Sequence, residues 1–294
     1  MGNRIVPKLG RLFIVILFVA AAVTVGAEDK LLIGHKERLE TIPGENYVRH
    51  RCLTPAASER IVLPLERDKP WSLPKTALDN GFLDTINILV LRYNFQYEDP
   101  DDPNTTGRGH MNLTQLLTDA DVSAYYDSVG HFIDPPAHDS LYFDAHLRAL
   151  KLYWETVSDD KITLSWDIYP PLVDSVYELP QPMSHYGRCD FSDVVSGLQA
   201  YFIDCIQLAD TAAPEIDFGR YESIFLFHAG SDRQNDIGFP PTCNDFFTGF
   251  ITFGDSLAVD NDSNFVRTAL IVPETSNQDN RATALNAVMA HEFG

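Results

Sequence analysis

Basic residues are scarce in this sequence: 22 lysines and arginines stand against 42 aspartates and glutamates, a formal charge of -20 at pH 7. That excess repels nucleic acid and anionic lipid, so polyanion binding is disfavoured. It identifies no partner, because acidic surfaces also keep extracellular proteins soluble and can hold Ca2+. Long apolar runs are missing too. Beyond the first 27 residues no stretch is apolar enough to span a membrane, which takes roughly 20 such residues. Repeats and low-complexity tracts are absent by inspection. Cysteine is limited to Cys52, Cys189, Cys205 and Cys243, an even number that permits disulfides in an oxidising compartment.

The N-terminus supplies the evidence for such a compartment. Arg4, Lys8 and Arg11 precede the apolar run Leu12 to Val25, and Val25-Gly26-Ala27 offers a cleavage site for small-residue specificity. Residues 1–27 are therefore expected to be a secretory signal, and the remainder to be secreted or at the cell surface without stable membrane insertion. Residues 28–80 carry Pro43, Pro55, Pro64, Pro70 and Pro74 between short apolar pieces and read as a leader or pro-segment. Residues 81–294 then form the main domain, long enough for a sizeable core.

Within that domain the hydrophobic period alternates between strand and helix. Thr85 to Phe95 is predicted as a strand buried on both faces, and Asp139 to Thr156 as an amphipathic helix with Asp144 and His146 on its surface. Alternation at Ile162, Leu164, Trp166 and Ile168 gives a second strand. Ser192 to Leu208 reads as a helix, which would set Cys189 and Cys205 about 24 Å apart and exclude a bond between them. Ile224 to Phe227 is another buried strand. Gly249 to Phe253 and Val266 to Val272 are two more, separated by the turn-rich Gly254 to Asn264. The order of elements is an α/β or α+β pattern.

Several polar features have ordinary readings. The acidic loop Glu98 to Asn104 meets the ligand preferences of Ca2+ but lacks a glycine-centred calcium-loop spacing, so a solvated turn is expected. His185 and Cys189 stand four apart, as helical ligands would, yet Gly187, Pro180 and Pro182 argue for a loop. His228, ending a buried strand, is assigned a structural role. Sequons at Asn104, Asn112 and Asn261 are short enough to arise by chance.

The last helix carries the chemistry. Asn280 can cap a helix that runs through Ala282, Leu285, Val288 and Met289 to His291-Glu292-Phe293-Gly294. These fit the first four positions of H-E-x-x-H, in which two histidines one turn apart hold Zn2+ and the glutamate acts as base on bound water. Zinc lowers that water's pKa and polarises the scissile carbonyl. The helix is small and apolar on its approach to His291, as suits a buried position.

On these residues the chain resembles the M6 family of bacterial secreted metallopeptidases, the immune inhibitor A group, within the zincin class. The blocks that carry the resemblance are the strand Ile88 to Phe95, Tyr153 to Ser158, His185-Tyr186-Gly187, Phe218 to Glu222 leading into Phe227-His228-Ala229-Gly230, and Met289 to Gly294. The resemblance spans about residues 81–294 and implies a zincin-like α+β fold, a Zn2+ cofactor and a peptide or protein substrate. It makes His291 the first zinc ligand and Glu292 the catalytic base, with a second histidine expected directly after Gly294 and a third ligand beyond. The fragment as given would then be inactive alone, since catalytic zinc takes three protein ligands. The resemblance also implies a cleft edge on the strand before the helix, at Thr268, Leu270 and Val272, pairing with extended substrate.

Two other readings compete. A non-catalytic cell-surface binding or adhesion protein could keep the scaffold without the chemistry. A matrixin-like metzincin can also carry His-Glu-Phe-Gly, but the leader holds no cysteine-switch block.

Overall fold

The computed structural model describes residues 84–129, 134–190, 193–234, 236, 238–276 and 284–293, together with the backbone of two short paired strands, β1 (Glu40–Thr41) and β2 (Val48–Arg49). The expected signal segment, most of the expected leader and the expected cap position Asn280 lie outside the described residues.

The architecture is mixed α/β, a six-stranded sheet with helices on both faces. Its strands are β3 (Asp84–Asn94), β4 (Ile162–Tyr169), the short β5 (Tyr177–Glu178), β6 (Ser223–His228), β7 (Gly249–Val259) and β8 (Asn264–Pro273). The order is β4-β3-β6-β8-β7, with β5 continuing beside the end of β3. All neighbours are parallel except the hairpin β7–β8. Parallel neighbours need a crossover, and α2 (Ser140–Val157) supplies the one from β3 to β4.

Strand β3 is the spine. Its central residues Ile88 to Leu91 are fully buried, as a continuous apolar run with partners on both edges and helices on both faces requires. Burying each such side chain stabilises by about 1.5–3 kcal/mol, against about 1–2 kcal/mol per residue for fixing the backbone. One charge sits among them. Arg92 is fully buried, and its guanidinium donates to the carbonyls of Pro170, Leu172 and Val173, tying down the chain that leaves β4.

Register divides the sheet into two faces. Phe225 and Phe227 of β6 meet Phe293 and Phe143, so α2 and the last helix, α5 (Leu285–Phe293), share one face. Tyr93 of β3 donates to the Cys205 carbonyl at 2.6 Å, and His228 meets Tyr201, so α4 (Val194–Ala212) covers the other. Helix α2 starts on Asp139, whose carboxylate accepts the Leu141 and Tyr142 N–H groups. Of the apolar face predicted at Val194, Val195, Leu198, Tyr201, Phe202, Cys205 and Leu208, helix α4 buries all but Val195 and Leu208, which are half-buried, and it runs to Ala212.

Some elements differ from expectation. Met183 to Gly187 forms a short helix, α3, where a loop was expected, because its chain is wedged between α4 and a distant loop. Glycine makes this possible: a Cβ on Gly187 would lie 1.8 Å from the Asn244 oxygen, and one on Gly197 1.9 Å from the Tyr186 oxygen. The hairpin is longer than predicted. Both strands run on to a tight turn at Asp260, Asn261 and Asp262, all left-handed, a conformation that Asn and Asp tolerate. A helix not foreseen, α1 (Asp119–Val129), precedes α2. The acidic loop is less solvated than expected, because Glu98 turns inward and accepts the Thr105 hydroxyl at 2.8 Å. Cys189 bonds Cys243, and Cys205 is free and buried; Cys52 lies outside the described residues.

Candidate functional site

Helix α5 turns Leu285, Met289, Glu292 and Phe293 inward. Its anchor is aromatic: the Phe293 ring lies 5.1 Å from Phe225 and 6.0 Å from Trp154. Its first described turn is held from far away in sequence. Asp134, in the left-handed region at φ 56°, accepts the Leu285 N–H at 3.0 Å, as an N-capping carboxylate does. The other oxygen of Asp134 stands 3.4 Å from His146 Nε2. His146 is therefore not the surface residue expected; its side chain is only 13% exposed. Asp144 remains half-exposed, pairing with Arg148 and accepting the Trp166 indole N–H at 3.0 Å.

The chain behind this helix is a buried polar network centred on Glu274, the residue that follows β8. One carboxylate oxygen accepts the Gly230 N–H, and the other meets the Asn112 N–H and His138 Nδ1, each at 2.8–2.9 Å. The second ring nitrogen of His138 faces the Asp134 carbonyl at 3.1 Å. Burial alone would lower the His138 pKa, but the hydrogen bond and charge of Glu274 outweigh it and raise the value. Both ring nitrogens face acceptors, so the imidazolium form satisfies the site.

At the other end of α5 the two motif residues part. His291 is half-exposed at 39%, while the Glu292 side chain is 8% exposed, with 3.7 Å between His291 Nε2 and Glu292 Oε1. Burial pushes the Glu292 carboxyl up, the negative charge of Asp232 pushes it further, and the Phe250 N–H on β7 pulls it back, leaving it at about 8. Its Oε2 has no hydrogen-bond partner. Asp232 is itself buried, on the segment after β6 that bridges to Phe246, and receives the Ser276 hydroxyl at 3.5 Å. The arrangement is a buried carboxyl beside a second carboxyl, set against the backbone of strand β7.

The cleft edge expected at Thr268, Leu270 and Val272 is corrected by the sheet order. These residues lie on β8, in mid-sheet: Leu270 pairs with Phe225 on one side and Phe250 on the other. A strand bonded along both sides has no backbone left for a peptide. Among the described strands the sheet ends at β7 on this side and at β4 on the other. His228 lies on the α4 face, away from α5, among Phe95, Tyr201 and Phe246. Burial pushes its pKa down to about 4.

A zinc site is not complete in these residues. Among the described residues no group of three or more His, Cys, Asp or Glu could hold a metal ion, and His291 stands as a single imidazole donor. His185 does not join it: the Cys189 sulfur that might have accompanied it is in the disulfide with Cys243.

No protein-family model matches the chain, and no curated protein matches it. Among the described residues no helix is long and apolar enough to cross a membrane. The sequence pointed to His291 and Glu292 but not to Asp232, Asp134 or Phe250. Phe250 acts through its backbone, which no side-chain pattern encodes. Asp232 follows the buried run Phe227-His228-Ala229-Gly230, and an acidic residue just past the end of a buried strand is the one signal that could have marked it.

Proposed function

We propose that this chain belongs to a secreted zinc-dependent endopeptidase of zincin type, similar to the M6 family, with Glu292 as the base that takes a proton from the attacking water. His291 is then one donor of the three that a catalytic zinc takes from protein. One observation carries the reading: Glu292, adjacent to His291, is a buried carboxyl with an unpartnered oxygen, held against the backbone of the edge strand β7. A general base must present such an oxygen to the water it deprotonates. An extended peptide can add to an open edge by backbone hydrogen bonds, so the substrate is assigned to β7 in place of β8.

The test uses the product of the complete coding sequence on an unstructured protein substrate such as casein. Cleavage should be abolished by a chelator, restored by Zn2+, and abolished in Glu292→Ala. Activity indifferent to both chelator and substitution would refute the assignment.

A second reading, a non-catalytic cell-surface binding protein on the same scaffold, draws on the single imidazole at the site. It predicts no stoichiometric zinc in the purified product and a thermal midpoint that chelators leave unchanged.

A further inference from the structure

On the face of the sheet covered by α4, one patch near the start of the parallel strands is left to solvent. Register sets Asn87 beside Ser165 and Leu89 beside Asp167. These positions share the face from which Tyr93 reaches α4. Leu89, Leu91 and Tyr93 are fully buried there, whereas Asn87 and Ser165 are half-buried and Asp167 is exposed. The chain just before β6 walls the patch. The result is a hollow of about 340 Å³ lined by Asn87, Ser165, Trp166, Asp167, Arg220 and Tyr221. Small-molecule sites run from about 300 to 1,000 Å³.

The lining is already held in place by its own hydrogen bonds. Ser165 Oγ donates to Asn87 Oδ1, the Asn87 backbone N–H donates to Glu222 at 2.7 Å, and the Tyr221 hydroxyl donates to Asp167 Oδ2 at 2.8 Å. The Trp166 indole points to the opposite face, where its N–H donates to Asp144 of α2, so it gives the hollow no ring to stack on. Groups fixed in advance lose little entropy when a ligand arrives. The bonds leave over the Asn87 amide hydrogens, Asp167 Oδ1 and the Arg220 guanidinium. Arg220 is exposed, has no ion pair among the described residues, and lies over the Tyr221 ring at 5.9 Å.

This set selects by elimination. An apolar ligand would bury amide, carboxylate and guanidinium without partners, at a cost of about 1–3 kcal/mol for each. An anion would gain Arg220 but face Asp167, Glu222 and a chain of net charge -20. A cation would face Arg220. A neutral ligand with adjacent hydroxyls satisfies both kinds of group, since each hydroxyl donates once and accepts twice. We propose that the hollow binds a short neutral saccharide, whose hydroxyls donate to Asp167 and accept from Asn87 and Arg220. The site lies on the opposite face of the sheet from Phe293 and Glu292, so it stands whether or not the peptidase reading does. It would hold the protein on a glycan-bearing surface with α2 and α5 turned away from that surface.

The experiment titrates the whole chain with maltose, cellobiose and chitobiose, and with inorganic phosphate as an anionic control, by calorimetry and by amide chemical shifts. Saturable binding of at least one disaccharide is expected, with shifts centred on 87, 165–167 and 220–221. Arg220→Gln, an exposed position that leaves the fold alone, should weaken that binding about tenfold, and Asn87→Ala should weaken it similarly. The proposal is overturned by no saturable binding of any disaccharide, by binding that both variants leave unchanged, or by phosphate binding tighter than every sugar.

Discussion

Asp134 accepts a hydrogen bond from the backbone N–H of Leu285, a residue 151 positions further along the chain, and so fixes the start of the helix that presents His291 and Glu292. The same carboxylate faces His146, and its residue's carbonyl faces His138. One short loop thus joins the α2 face, the Glu274 network and the candidate site.

Removing that cap should loosen α5. Asp134→Ala is expected to cost about 1–2 kcal/mol, the range for a lost N-cap, and Asp134→Asn clearly less, because an amide oxygen still accepts. Urea unfolding gives the size, and hydrogen exchange at residues 285–293 gives the place. Equal loss in both variants would show that the charge toward His146 matters more than the cap.

Glu274 should tolerate substitution poorly. Its carboxylate satisfies three donors from three separate segments, and its side chain and that of His138 are 6% and 3% exposed. Breaking a buried pair by removing one partner costs about 3–5 kcal/mol. Glu274→Ala is therefore expected to unfold at much lower urea, while Glu274→Ala/His138→Phe recovers part of the loss.

Two buried histidines should tilt stability with pH in opposite directions. His228 has its folded value pushed down to about 4 from 6.5. Between those values the unfolded chain binds a proton that the folded chain refuses, so stability declines as pH falls, by about 3 kcal/mol over the whole window. His138 acts in the opposite direction. Its folded value is raised, so its contribution is complete below about 6.5 and is lost as pH rises through the folded value. Urea midpoints measured from acid to alkaline pH isolate each contribution as a difference from the parent: His228→Phe should lose less stability as pH falls, and His138→Gln less as pH rises.

Glu292→Gln should separate stability from activity. The carboxyl has an unpartnered oxygen and lies near Asp232, and burial raises its pKa. An amide of the same shape carries no charge, so the variant should melt no lower than the parent, with the advantage growing as pH rises from 4.5 to about 8, where the unfolded parent ionises this group and the folded parent keeps it protonated. Peptidase activity of the complete product should vanish in the same variant. A variant that melts lower and stays active would contradict both parts.

Reduction should loosen the chain that follows α3 and the loop bonded to it. Cys189 and Cys243 are 54 residues apart, and native bonds of this kind contribute about 2–5 kcal/mol. The Cys189→Ser/Cys243→Ser double variant should unfold earlier in urea, with hydrogen exchange rising first around α3 and residues 242–248.

How much of this was legible in the sequence depends on what encodes each part. The run Ile88 to Leu91 and the stripe Val194, Leu198, Tyr201, Phe202, Cys205 are hydrophobic patterns, and burial follows such patterns directly. The mid-sheet place of β8 was also encoded, though the resemblance led elsewhere: Ala269 to Val272 is continuously apolar, as a strand covered on both sides should be. Strand β7 breaks into Gly254, Asp255 and Ser256, which are exposed, the composition of an edge. By contrast, the link from Asp134 to Leu285 is set by tertiary packing, and no local window contains both residues. Helix α1 escaped notice because Asp119 to Val129 has little apolar periodicity, so nothing in its pattern sets it apart from a loop.

The buried Cys205 has a consequence for how the chain oxidises. Its thiol is sealed beneath α4, and burial holds its pKa well above the ordinary value, so in the folded protein it forms almost no thiolate. Exchange requires a thiolate. A chain mispaired through Cys205 cannot close α4 over the sheet, and its bond stays open to attack. Once Cys189 has joined Cys243, the third thiol withdraws from the reaction. Among the described cysteines, folding itself therefore proofreads the disulfide.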